Sequence, residues 1–151
     1  MEESVKTLTD LDKIIQAFEL SEQDYRNYPA LTLAYIGDCV FDLVIRTVVI
    51  FKSHKQVNDL HKKTTRFVKA ETQAVMIQGL LDGEILTEEE RSVYKRGRNT
   101  KSHTCAKNAS IVAYRKATGF EAVLGYLYVT GQMERILELT KIGLSYTDLI
   151  L

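Results

Sequence analysis

Asp38 stands in Tyr35-Ile36-Gly37-Asp38-Cys39-Val40-Phe41-Asp42, within the most apolar stretch of the chain. An ionised acid inside a packed helix is costly unless a partner or a metal ion compensates it. A second acid, Glu121, lies in the equally apolar Thr118-Gly119-Phe120-Glu121-Ala122-Val123-Leu124-Gly125. If the two helices cross, Gly37 and Gly125 let their backbones approach closely beside the acids. Two carboxylates brought together out of bulk water repel, and at least one pKa rises. A divalent cation between them reverses that balance. Few hard oxygen ligands, with positions left for water and phosphate, suit magnesium.

A local explanation competes for each acid. Thr118 and Glu121 fit the S/T-x-x-E capping box, in which the carboxylate reaches back to an orphan N–H. Asp42 precedes Arg46 by four residues, correct for a structural ion pair. Asp38, Asp42 and Arg46 share one helix face, which reads as a buried polar stripe. His54, His61 and His103 form no HxxxH or Ser–His–Asp pattern and read as surface or loop residues. Cys39 and Cys105 sit in no CxxC pattern, so they read as ordinary thiols of a reducing compartment. Tyr35, Tyr94, Tyr114, Tyr126 and Tyr128 fall within helical apolar patterns, and core packing is the reading for each.

The elements that must position these acids are all helical, because no run alternates with period two for long enough to build a sheet. A short amphipathic helix covers Leu11 to Phe18. The central apolar helix runs from Tyr28 to Phe51, with Pro29 in its first turn. Ser53 reads as the N-cap of a helix through Val57, Leu60 and Thr64. Another helix spans Lys69 to Leu81 and stops near Gly83. Thr87-Glu88-Glu89-Glu90 is a capping box opening a helix that ends close to Gly97. Gly97 to Thr104 is a polar, donor-rich loop. Helices at Asn108–Arg115, Thr118–Tyr128 and Gly131–Lys141 follow. The expectation is a single all-α domain.

With 151 residues, 45% of them hydrophobic, and one proline, the chain can bury a sizeable core without disulfide staples. The acidic start, Met1-Glu2-Glu3-Ser4-Val5-Lys6, is wrong for a secretory or transit signal. Asp38, Asp42 and Arg46 interrupt the apolar helix, so it is a core helix and not a membrane span. These features point to the cytoplasm. Formal net charge is zero, but the charges are segregated. Residues 95–116 carry Lys95, Arg96, Arg98, Lys101, Lys107, Arg115 and Lys116 without an acid. Lys52, Lys55, Lys62, Lys63, Arg66 and Lys69 are diluted only by Asp59. Such blocks either bind a polyanion or form a solvated surface.

Leu33-Ala34-Tyr35-Ile36-Gly37-Asp38-Cys39-Val40 resembles the signature helix of the ribonuclease III family, and Thr118-Gly119-Phe120-Glu121-Ala122-Val123-Leu124-Gly125 resembles its second acidic helix. Gly97-Arg98-Asn99-Thr100-Lys101-Ser102, with Lys107-Asn108 and Tyr114-Arg115, is similar to the short branch called Mini-ribonuclease III. The resemblance covers roughly residues 24–138 and implies a catalytic domain at 24–141, without a double-stranded-RNA-binding domain. It leaves an acidic segment at 1–23 and a tail at 142–151. It implies magnesium, with manganese able to substitute, held by Asp38 and Glu121 as catalytic and metal-binding acids. Leu31, Ala34 and Thr118 stand where longer members of the family carry further acids, so more coordination falls to water and RNA phosphate.

The resemblance also implies in-line hydrolysis of duplex RNA to 5′-phosphate and 3′-hydroxyl ends. Cutting both strands calls for two sites, which the family supplies as a two-fold homodimer. The Mini branch implies a ribosomal RNA precursor (23S maturation) as substrate. RNA would be gripped by Lys62, Lys63, Arg66, Arg96, Arg98, Asn99, Lys101, Lys107, Asn108 and Arg115, mainly through phosphates and 2′-hydroxyls. The alternative is a catalytically inactive relative that binds RNA or dimerises. Retention of both Asp38 and Glu121 favours the enzyme.

Overall fold

The computed structural model describes residues 7–21, 24–53, 56–100 and 110–151. Seven α-helices occur among these: α1 (Asp10–Ala17), α2 (Ala30–Lys52), α3 (Val57–Val68), α4 (Ala70–Asp82), α5 (Glu88–Asn99), α6 (Ile111–Val129) and α7 (Met133–Leu144). A single 3-10 turn, Tyr25–Asn27, leads into α2. The expected all-α architecture is therefore present.

Helix α6 is the axis of the fold, since it is apolar on nearly every side and buries Phe120 and every residue from Ala122 to Leu127. Helices α2, α4, α5 and α7 pack around it. From α2 come Leu33, Phe41, Ile45 and Val49, which recur at helical spacing and are essentially without solvent exposure. Phe41 meets Phe120 edge-to-face at 5.6 Å between ring centroids. Burying a phenylalanine of this kind stabilises the fold by about 1.5–3 kcal/mol.

Where α2 crosses α6, side chains are excluded altogether. A Cβ on Gly37 would lie 1.8 Å from the Glu121 carbonyl oxygen, and one on Gly125 would lie 1.8 Å from the Leu33 carbonyl oxygen. The pairing order reverses along the chain, so the two helices pass in opposed directions at this contact.

Several expectations are corrected. Thr118 does not start a helix: α6 is continuous from Ile111, capped by Ser110, whose hydroxyl accepts from Ala113 N at 3.0 Å. The Thr118 hydroxyl instead donates to the Tyr114 carbonyl at 3.0 Å. Gly119 fits this uninterrupted helix because the Tyr94 ring fills the space a side chain would need. Ser53 is the C-cap of α2, and α3 starts at Val57 with Gln56 before it. Gly97 to Asn99 belong to α5; Lys101 to Thr104 of the expected loop lie outside the described residues.

The polar stripe of α2 is not buried either. Asp38 and Arg46 are exposed and Asp42 is half-buried. Beside them Leu31, Tyr35, Leu43, Ile50 and Phe51 are exposed, so Tyr35 is not a core residue; it is 81% exposed. Tyr94 and Tyr126 are buried as expected, while Tyr114 and Tyr128 are half-buried. Cys39 is exposed, and Cys105 lies outside the described residues. Among the described residues no helix is long and apolar enough to cross a membrane.

Candidate active site

Asp38 follows Gly37 on α2, and Glu121 supplies from α6 the carbonyl that presses on Gly37. The backbone contact thus brings the two acids beside one another. Glu121 is half-buried in the middle of a helix, where no orphan N–H needs a cap. Its carboxyl is pushed up to about 8, first by burial and then by the negative charge of Asp38. The Gln73 side-chain amide opposes both and favours the anion. Asp38 is also raised, by burial and by the charge of Asp42. Asp42 itself accepts from Arg46 Nε at 2.7 Å, the structural pair its spacing predicts.

Gln73 is the residue that sequence reasoning missed. It lies in the first turn of α4 and is only 2% exposed. Its Nε2 donates to the Val68 carbonyl, the last of α3, at 2.8 Å. Its Oε1 is buried and has no hydrogen-bond partner among the described residues. Leaving such an acceptor unsatisfied costs about 1–3 kcal/mol. The signal was available: Gln73 shares a helix face with buried Met76, Ile77 and Leu80, a core position held by a polar side chain.

The Asp38 and Glu121 carboxylates put excess negative charge on oxygen, and the Gln73 amide against Glu121 leaves its Oε1 without a donor among the described residues, which fits a hydrated hard divalent cation. Among the described residues there is no group of three or more His, Cys, Asp or Glu side chains able to hold a metal ion. Leu31, Ala34 and Thr118 add no carboxylate, so among the described residues the candidate pair is Asp38 and Glu121.

Two positively charged elements lie near this level of α6, one packed on it and one linked to it through α4. The end of α5 touches it through Gly97, where a Cβ would meet Ala122 Cβ and Gly119 Cα at 2.9 Å and the Thr118 carbonyl at 3.2 Å. Arg96 and Asn99 are exposed here and line a groove with Glu88, Arg91, Ser92 and Lys95. Arg98 lies over the Tyr94 ring at 5.6 Å from its centroid. Helix α3 is joined to α4 where the Thr72 hydroxyl, next to Gln73, donates to the Arg66 carbonyl at 2.5 Å. Lys62, Lys63 and Arg66 line a second groove together with Asp59 and Asp148. Arg115 is exposed on α6. His61 is exposed, as expected of a surface histidine. Lys101, Lys107, Asn108, His54 and His103 lie outside the described residues.

Residues 31–132 match the family described as the Ribonuclease III domain. The chain is 52% identical over 128 residues to Mini-ribonuclease 3 of Clostridium tetani, covering 84% of this chain and 83% of that one. It is 49% identical over 117 residues to Mini-ribonuclease 3 of Enterococcus faecalis, covering 78% and 89%. A crystal structure of a protein from Fusobacterium nucleatum superposes with a TM-score of 0.72 at 27% identity, over 82% of this chain and 98% of that one. The chain belongs to the ribonuclease III family and, within it, to the Mini-ribonuclease 3 endoribonucleases.

Proposed function

We propose that this chain is a magnesium-dependent endoribonuclease that cuts double-stranded or structured RNA, leaving 5′-phosphate and 3′-hydroxyl ends. Enzymes of the ribonuclease III type are generally metal-dependent and act on double-stranded RNA. The observation that carries the reading is the meeting of Asp38 and Glu121 across the Gly37 contact. These two acids would hold the cation, which when bound acidifies water and stabilises charge on phosphate oxygens. Manganese, of the same charge and oxygen preference, would substitute for it.

The chain's own cations grip the substrate. Lys62, Lys63 and Arg66 of α3, Arg96, Arg98 and Asn99 of α5, and Arg115 of α6 contact phosphates and 2′-hydroxyls, joined by Lys101, Lys107 and Asn108. The catalytic unit begins near residue 24 and, instead of stopping at 141, runs through the end of α7 at Leu144, with Leu149 and Leu151 of the 142–151 segment packed against its core. Its substrate is a 23S ribosomal RNA precursor in the cytoplasm. Two such sites, one per strand, require a homodimer. The exposed residues Leu31, Tyr35, Cys39 and Leu43 of α2 support this, because they recur about once per turn, with Ile50 exposed two turns further on.

The test is incubation of the purified protein with long double-stranded RNA in magnesium, in manganese and in EDTA. Cleavage is expected with either metal and none with EDTA, and Glu121→Gln should bind RNA without cutting it. Cleavage in EDTA, or undiminished cleavage by the variant, would overturn the reading. Binding without cleavage by the wild-type protein would favour an inactive RNA-binding module instead.

A further inference from the structure

A site with two acids leaves most positions around a magnesium-sized ion to water. Water held on a cation is a strong hydrogen-bond donor, and its protons must find acceptors in the surrounding shell. The Gln73 amide lies against Glu121, and the Oε1 of that amide is buried with no donor among the described residues. The amide cannot easily turn away, because its Nε2 is tied to the Val68 carbonyl at 2.8 Å. Turning it over would set its oxygen against that carbonyl oxygen. The first turn of α4 is held as well, through the Thr72 hydroxyl on the Arg66 carbonyl. A fixed, buried, unsatisfied acceptor next to a candidate metal-binding acid has the chemistry needed to receive a proton from the ion's hydration shell.

We propose that Gln73 is a positioning residue of the cation site: its amide steadies the Glu121 carboxylate, and its Oε1 accepts a hydrogen bond from a water of the cation's hydration shell. The inference rests on the reading of Asp38 and Glu121 as the metal-binding pair. It adds an uncharged outer member from a third helix, α4, in a site otherwise built from α2 and α6. Partners of this kind orient the inner ligands and change metal affinity by roughly 10–100-fold when lost.

The experiment measures Mn2+ binding to the full chain without RNA, by electron paramagnetic resonance of the free ion, alongside thermal unfolding. Gln73→Met removes the acceptor at similar volume and should weaken Mn2+ binding about tenfold. Gln73→Glu keeps an acceptor at the same point and adds charge. It should bind Mn2+ at least as tightly as the wild type, although both variants lose the bond to Val68. Glu121→Gln is the control and should abolish binding at this site. If Gln73→Met binds Mn2+ like the wild type while Glu121→Gln does not, Gln73 only caps α3 and the proposal falls alone. The proposal also falls alone if Gln73→Glu binds as weakly as Gln73→Met. If the wild type does not bind Mn2+, or Glu121→Gln binds it unchanged, the metal-site reading fails and takes the proposal with it.

Discussion

Gly37 and Glu121 are in contact backbone to backbone: the space a side chain at 37 would fill is held by the Glu121 carbonyl oxygen. This contact fixes how near the next residue, Asp38, comes to the Glu121 carboxyl. Gly37→Ala cannot be absorbed by a rotamer change, because a Cβ 1.8 Å from a main-chain oxygen forces a helix to move. We expect destabilisation of about 3 kcal/mol or more, the upper end for overpacking. Urea unfolding would read it. A variant within 1 kcal/mol of wild type, a roughly neutral change, would mean that the helices separate freely.

Glu121 lies mid-helix and caps nothing, and burial and Asp38 hold its carboxyl up at about 8 against an ordinary 4.5, so Glu121→Gln should raise stability in EDTA as pH climbs above 4.5. Its loss as a ligand shows in the loaded protein. With free magnesium a hundredfold above its dissociation constant, the wild type gains about 2.7 kcal/mol, and the variant should gain little. Calorimetry with and without magnesium compares the two. Equal magnesium-induced shifts would exclude Glu121 as a ligand.

Glu90 and Arg135 form a separate, structural pair. Arg135 Nε and Nη2 donate to the two Glu90 oxygens at 2.9 Å, and Nη2 also donates to the Ile85 carbonyl at 2.8 Å. Burial alone would raise the Glu90 carboxyl, but hydrogen bonds from Arg135 and Thr87 outweigh it and hold the pKa low. A depressed acid contributes stability that is present above its unfolded value of 4.5 and is lost as pH falls through the lower folded value. Arg135→Met leaves the buried carboxylate unpaired and should cost about 3–5 kcal/mol at neutral pH. It should also reverse the trend, so that acidification toward pH 4.5 narrows the gap to wild type. Urea midpoints across that range, parallel for the two proteins, would contradict the assignment.

Lys62, Lys63 and Arg66 line one groove of α3. If they contact phosphates, replacing Lys62 and Arg66 by alanine in the Glu121→Gln background should weaken duplex binding at every sequence alike. The slope of log affinity against log salt should fall by roughly one per residue removed. Fluorescence anisotropy of labelled duplex RNA across a salt series measures it, and an unchanged slope would remove this surface from the interface.

Tyr35 and Leu43 are 81% and 61% exposed on the open face of α2. Replacing both by glutamate should turn a dimer into a folded monomer, visible by sedimentation equilibrium. A wild-type monomer at micromolar concentration, or a double variant that still dimerises, would mean that this face is not the interface.

The sequence by itself determined what depends on neighbours within about four residues. The Thr87–Glu90 capping box and the Asp42–Arg46 pair both follow from spacing along one helix. The lack of any long period-two alternation likewise sufficed for an all-α chain, and the order of the two acidic motifs sufficed for the family. Tertiary structure alone decided which residues face solvent and where helices continue. Thr118-Gly119 reads locally as a helix start, yet α6 runs through it, and the glycine there makes room for the Tyr94 ring from α5. Tyr35 reads as core but faces outward, and Gln73, which no local motif singles out, lies inside beside Glu121. Helical periodicity states which residues share a face; only the partner packed across that face determines whether it is covered.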